Sequence, residues 1–276
     1  MRQRSFGPTG RAVSVIGQGT WRTSGRDDAA ALRAGLESGM THIDTAEMYE
    51  GAEAVVAEAI AGRRDEVFLV SKVVPGHATR AGVAAACDAS LRRLRTDRLD
   101  SYLLHWPGSH PLADTIRGFE DLKSAGKILS WGLSNFDVPE LEDALAIAGP
   151  GAIACNQVLY HLQERAIEHA VIPWCRANDV ALVAYSPFGS GDFPASTSAG
   201  GTVLARIAET HGTSPHAVAL AFLTRADGSF AIPKTARVER ARANAEAGSL
   251  TFSPDEVTAI DRAFPLGPRP RSLPML

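Results

Sequence analysis

Residues 41–72 read THIDTAEMYEGAEAVVAEAIAGRRDEVFLVSK. Within them Thr41–Asp44 is a short strand candidate, Ala52–Ala61 has a helical pattern, and Val67–Ser71 is a second, β-branched and apolar strand. Gly62 stands just past the helix, where a left-handed residue is wanted. Strand, crossover helix and strand within about 30 residues form a unit that sets two strands parallel.

The pattern continues in both directions. Upstream lies Val15–Gln18, with the helix Asp27–Ser38 between it and Thr41. Downstream strand candidates are Ser101–His105, Ser130–Ser134, Ile153–Gln157, Val180–Tyr185 and Ser229–Pro233. Helical patterns fill the gaps at Thr79–Leu94, Leu112–Ala125, Pro139–Ala148, Arg165–Ala177, Val203–His211 and Pro215–Arg225. Arg237–Ala247 and Pro254–Ala263 follow the last strand, so one C-terminal helix exceeds the repeat. Eight strand–helix units suit a closed (β/α)8 TIM barrel better than an open sheet. The 276 residues then make a single barrel domain with little length to spare. An initial β-hairpin is expected from Arg4-Ser5-Phe6, a turn over Gly7-Pro8-Thr9-Gly10, and Arg11-Ala12-Val13. It is placed to cap the N-terminal mouth of the barrel. Ser186–Gly201 is the one long irregular stretch, and loops of that length are usually lids or binding loops.

Composition narrows the function classes. Hydrophobic residues make up 45% and charged residues 21%, enough apolar surface for a large core. The net charge of −3 and the lack of a clustered Lys/Arg block give no reason to expect a nucleic-acid partner. No apolar run approaches a membrane span, and no apolar stretch follows Met1–Ser5 as a secretory signal requires. Cys87, Cys155 and Cys175 have neither disulfide nor zinc spacing. A cytoplasmic, monomeric protein without a metal is the expectation.

In such a barrel the site lies at the C-terminal ends of the strands. Those ends carry Asp44 with nearby Tyr49, then Lys72, His105, Ser134-Asn135, Gln157, Tyr185-Ser186 and Lys234-Thr235. Asp44, Tyr49, Lys72 and His105 make chemical sense together. A phenol titrates near ~10 and a neighbouring ammonium lowers that value. Lys72, held charged by Asp44, thus suits Tyr49 to act as a general acid, and His105 can orient a substrate oxygen. Such a set donates a proton but cannot supply a hydride. Asn135 and Gln157 offer paired amides of the kind a carboxamide requires, and Tyr185 offers a ring to stack on. Lys234, Arg237 and Arg240 cluster at the start of the next helix, which favours phosphate.

At this point the chain resembles the aldo-keto reductase family over nearly its whole length. The matching segments are Gly17-Gln18-Gly19-Thr20-Trp21, His42-Ile43-Asp44-Thr45-Ala46 with Tyr49, Val70-Ser71-Lys72 and Leu103-Leu104-His105-Trp106-Pro107. They continue in Trp131-Gly132-Leu133-Ser134-Asn135-Phe136, Cys155-Asn156-Gln157, Ala184-Tyr185-Ser186-Pro187 and Ile232-Pro233-Lys234-Thr235. The resemblance implies reduction of aldehydes or ketones to alcohols with NADPH, on a small-molecule carbonyl substrate. It implies Tyr49 as proton donor, tuned by Lys72 and Asp44, with His105 orienting the carbonyl. Ser134, Asn135 and Gln157 would hold the nicotinamide carboxamide, with Tyr185 beneath the ring. Gly19, Thr20, Ser186, Phe188 and Gly189 would also contact the cofactor, the last three near its pyrophosphate. Lys234, Thr235 and Arg240 would take the 2′-phosphate and Asn244 the adenine. Trp21, Met48 and Trp106 would wall the substrate pocket.

The sequence departs from that pattern in three places. Ala243 stands where an acidic or amide residue against adenine is common, and Ala57 replaces a common Gly. The chain ends soon after Phe264, and the segment after Trp106 is short, which implies an open and weakly selective pocket. No GxGxxG follows a strand and opens a helix, so the barrel itself would carry the dinucleotide. Two other readings compete. One is a metal-dependent barrel hydrolase using His42, Asp44 and His105 as ligands. The other is a non-catalytic NADP-binding subunit.

Overall fold

The structure is a computed structural model that describes residues 1–23 and 25–276. A hairpin of β1 (Gln3–Ser5) and β2 (Ala12–Ser14) leads into eight parallel strands. These are β3 (Gln18–Gly19), β4 (His42–Asp44), β5 (Phe68–Val73), β6 (Leu99–Leu104), β7 (Ile128–Ser134), β8 (Ile153–Leu159), β9 (Ala181–Tyr185) and β10 (Ser229–Ala231). They pair in sequence order from β3 to β10. A bridge between Ile16 and Ala231 closes the ring, with Gly17 N–H donating to Ala231 O at 2.8 Å and Gly19 N–H to Pro233 O at 3.0 Å.

Helices wrap the barrel as α1 (Arg26–Glu37), α2 (Ala52–Ala59), α3 (Arg80–Leu94), α4 (Leu112–Ser124) and α5 (Val138–Ala148). They continue as α6 (Val171–Ala177), α7 (Ala199–Thr210), α8 (Pro215–Leu223), α9 (Val238–Glu246) and α10 (Pro254–Ala263). Local chemistry explains several starts. Ser214 Oγ accepts from Ala217 N–H at 3.1 Å ahead of Pro215, and Ser253 with Glu256 makes a reciprocal capping box. None of these helices is long and apolar enough to cross a membrane, among the described residues.

Three elements differ from the sequence expectation, each for a physical reason. The first barrel strand is only Gln18–Gly19, because residues 15–17 curve across to meet Ala231 and close the ring. The helix expected over Arg165–Ala177 begins at Val171, after a 3-10 turn over Ala166–Glu168. Pro173 is tolerated in a first turn and would break a helix that began at Arg165. Conversely α7 begins at Ala199, before the expected Val203. Gly200 and Gly201 weakened the helical signal, yet they allow close packing against the Phe264 ring and the Ala195 backbone. Ser198 Oγ caps the turn, accepting from Gly201 N–H at 3.0 Å.

The interior of the barrel is apolar below and polar above. Phe68, Val70, Leu103, Cys155, Val183, Phe230 and Ile232 form a buried cluster with Phe6 from the hairpin. Phe6 packs on Phe68 and Phe230 at centroid distances of 4.6 and 5.1 Å, so the hairpin plugs the N-terminal mouth. Side chains alternate across a strand, so the residue two places after each inward apolar one also faces inward, nearer the C-terminal rim. Val70 is thus followed by Lys72, Leu103 by His105, Cys155 by Gln157, Val183 by Tyr185 and Ile232 by Lys234.

Candidate active site

A cleft of about 600 Å³ opens at the C-terminal end of the strands. Of the residues singled out in the sequence, Gly19, Thr20, Trp21, Asp44, Met48, Tyr49, His105, Trp106, Ser134, Asn135, Gln157, Tyr185, Ser186, Phe188 and Lys234 line it. Lys72 lies fully buried, paired through Nζ with Asp44 Oδ1. The same nitrogen donates to Thr45 O at 2.9 Å and sits 5.3 Å from the centre of the Tyr49 ring. Tyr49 meets His105 edge to face at 5.7 Å. The four residues read as one chemical group are therefore one group in space.

Their electrostatics refine the sequence reading. Burial pushes the Tyr49 phenol above its ordinary 10.0, Lys72 pulls it down, and Asp44 pushes it up again. The net direction is upward, opposite to the lowering that the Lys72 charge alone leads one to expect. Desolvation penalises the phenolate more than the ammonium rewards it. Burial works against the Lys72 ammonium too, but Asp44 and then Tyr49 outweigh it and raise its value. Burial also raises the Asp44 carboxyl, against the pull of Lys72 and Gln157. His105 is driven down to about 2 by burial and then by the Lys72 charge, so its imidazole is neutral.

Hydrogen bonds fix the amides. Gln157 Nε2 donates to Asp44 Oδ2 at 2.7 Å. A carboxylate only accepts, so Gln157 turns its amino group down and leaves its carbonyl oxygen for the cleft. Asn135 Nδ2 donates to His105 O at 3.1 Å, and its Oδ1 accepts from Tyr185 OH at 2.9 Å. Asn135 has φ 62 and Ser186 φ 47, left-handed conformations at two cleft positions. A register shift between Trp131 and Leu133 precedes the first of these turns. Thr20 borders the cleft with its hydroxyl donating to Asp44 O at 2.9 Å, so its polar group supports the strand end.

The remaining cofactor candidates lie beyond the cleft lining. Gly189 sits in the loop between two lining residues, Phe188 and Ser190. Thr235 accepts from Arg237 N–H at 3.1 Å just before α9, and Arg240 is exposed on the first turns of that helix. Asn244 is only 6% exposed, yet its amide makes no hydrogen bond to any described residue. Lys234 pairs with Asp28 of α1 at 3.0 Å, a partner the sequence gave no reason to expect. The Lys234 cation and the exposed Arg240 near the start of α9 suit an anionic group such as a phosphate.

The lining also includes Pro187, Ser190, Gly191 and Ile232, which lie in segments noted in the sequence without a site role of their own, and Met275 and Leu276, which nothing in the sequence marked. The expected open pocket is corrected by the last two. The tail after Phe264 returns to the mouth, and Leu276 N–H reaches Tyr185 OH at 3.4 Å. Pro265, Pro268, Pro270 and Pro274 keep that tail extended, without a periodicity to read. With Trp21, Met48 and the tail the rim is apolar. His42, offered as a metal ligand, sits a layer below Asp44 among Phe6, Phe68 and Phe230 at 5.6 to 6.4 Å. Burial, and after it the Lys72 charge, takes its value down to about 3.

A closed parallel barrel whose C-terminal cleft gathers Asp44, Tyr49, Lys72 and His105 is the setting in which the comparisons place this chain. Residues 15–264 match the family model described as the aldo/keto reductase family. The methylglyoxal reductase YeaE of Escherichia coli is 42% identical over 261 residues, 92% of each chain. A glyoxal reductase of Bacillus subtilis is 32% identical over 91% of this chain and 89% of its own. An aldo/keto reductase of Klebsiella pneumoniae, solved with NADP and acetate, superposes with a TM-score of 0.93 at 41% identity over the whole of both chains. The chain belongs to the aldo/keto reductase family. It is accordingly an NADPH-dependent oxidoreductase that reduces aldehydes and ketones.

Proposed function

We propose that Tyr49 protonates the carbonyl oxygen of a small 2-oxoaldehyde, with His105 orienting that oxygen and Lys72 and Asp44 setting the acidity of the phenol. The observation that carries this reading is the contact of Tyr49 with both Lys72 and a neutral His105 at the floor of the cleft. Bound NADPH supplies the hydride. Gln157, Asn135 and Ser134 would hold its carboxamide and Tyr185 would lie beneath the ring. Gly19, Thr20, Ser186, Phe188 and Gly189 would border the middle of the molecule. Lys234, Thr235 and Arg240 would take the 2′-phosphate and Asn244 the adenine. Trp21, Met48 and Trp106 would shape the substrate side. The substrate class is supported by the two relatives named for methylglyoxal and glyoxal. NADPH consumption with a panel of aldehydes, ketones and sugars tests it. Methylglyoxal is expected to lead the panel, and no turnover of any carbonyl would overturn the reading.

A single barrel domain over residues 1–276 is part of the same proposal, supported by Phe6 of the hairpin sharing the barrel core. Cytoplasmic residence is supported by three free, buried cysteines, and a monomer is retained as the working state.

Two predictions belong here. Charge-assisted hydrogen bonds contribute about 1.5–3 kcal/mol each, so Lys234→Ala with Arg240→Ala should raise KM for NADPH at least about tenfold and leave KM for NADH nearly unchanged. An unchanged ratio of kcat/KM for the two cofactors would remove the 2′-phosphate assignment. The second concerns pH. Tyr49 must be protonated to act, so activity is lost as pH rises through its value, which burial places above 10.0. His105, at about 2, titrates far below the working range. Reductive kcat should stay flat from about pH 6 to about pH 9. A limb near 6.5 in the pH profile would show that His105 titrates in the working range.

A further inference from the structure

Residues 186–198 connect β9 to α7 and supply Ser186, Pro187, Phe188, Ser190 and Gly191 to the cleft wall. Among the described residues, every hydrogen bond of residues 186–197 closes within the loop itself or at its junction with α7. Gly189 N–H donates to Ser186 O at 2.8 Å, Asp192 N–H to Gly189 O at 3.2 Å, and Ser198 N–H to Ala195 O at 2.9 Å. Ser186, Gly189, Ser190 and Gly191 all have positive φ, between 47° and 117°. The loop is thus a self-contained turn whose attachment to the barrel is made by side chains.

That attachment is aromatic. Phe193 lies flat on the imidazole of His216, with ring centroids 3.9 Å apart and planes 9° from parallel. Phe188 meets the same imidazole edge to face at 4.9 Å and Phe193 at 5.7 Å. His216 is the second residue of α8, held in a first turn that Ser214 caps and Pro215 opens. A rigid helix start therefore presents one ring to two rings of the loop. The catalytic reading above gives His216 no task.

We propose that the His216–Phe193 stack is the clasp fastening residues 186–198 over the cofactor, so that His216 sets how long NADP(H) stays bound. The proposal rests on the reading that the dinucleotide lies beneath this loop. A ring pair of this kind contributes modestly, and His216 makes two, so their loss is worth about a tenfold change in an equilibrium or a rate. His216 is a positioning residue: it lines no part of the cleft and touches none of the quartet.

The test is stopped-flow fluorescence of NADPH release from the full chain. His216→Ala and Phe193→Ala should each speed release, by about tenfold for His216→Ala. His216→Phe, which keeps a flat ring, should return the wild-type rate. The thermal midpoint and the pH profile of kcat should match wild type in the two His216 variants, because His216 is exposed and no reacting atom is changed. Wild-type release rates in both alanine variants would overturn the clasp and leave the cofactor reading standing. Failure of the wild-type protein to bind NADPH would overturn both.

Discussion

Tyr49→Phe is expected to cut reductive turnover by about 10²- to 10⁴-fold, the usual contribution of a positioned general acid. NADPH should still bind with near wild-type affinity. The substitution keeps the ring, and with it the edge contact to His105 and the position beside Lys72. It removes only the hydroxyl that carries the proton. The loss should therefore fall on kcat, with little change in the thermal midpoint. Steady-state rates with methylglyoxal, alongside NADPH fluorescence titration, separate the two quantities. A fall in NADPH affinity equal to the fall in kcat would mean that Tyr49 holds the cofactor and does not deliver the proton.

Lys72→Met should be damaging in a different way. Lys72 is fully buried, with Asp44 as its ion-pair partner, and Asp44 is 2% exposed. Removing one member of a buried pair strands the other charge, at a cost of about 3–5 kcal/mol of stability. Lys72→Met with Asp44→Asn removes both charges and keeps an amide for Gln157 to meet. The double variant should regain most of that stability, because buried pairs are often replaceable by neutral groups of similar shape. It should not regain activity, because the phenol then lacks the ammonium that offsets its desolvation. Chemical denaturation measures the first effect and NADPH consumption the second. A double variant with wild-type turnover would show that the pair is only a packing device.

Most of the barrel was legible because parallel strands and crossover helices alternate in a regular pattern. The polar residues at the strand ends were equally legible, since several follow an inward apolar residue by two places, as Lys72 follows Val70 and Gln157 follows Cys155. What was hidden depends on distance in the chain. Asp28 meets Lys234 across the barrel seam, and no local spacing announces that pairing. Met275 and Leu276 come back to the mouth along a proline-rich tail that has no period to read. The direction of the Tyr49 shift was also out of reach. Lys72 is visible in the sequence, whereas the burial that outweighs its charge exists only once the chain is folded. The role of His216 is equally non-local, since its stacking partner Phe193 lies in the loop on the far side of α7 in the chain.

A single-turnover experiment tests the central claim most directly. Wild type and Tyr49→Phe, each preloaded with NADPH, are mixed with methylglyoxal and followed by nicotinamide absorbance. The account predicts that wild type consumes its bound NADPH in one fast phase while Tyr49→Phe keeps its NADPH bound and nearly unconsumed over the same interval. Consumption by Tyr49→Phe at the wild-type rate would contradict it.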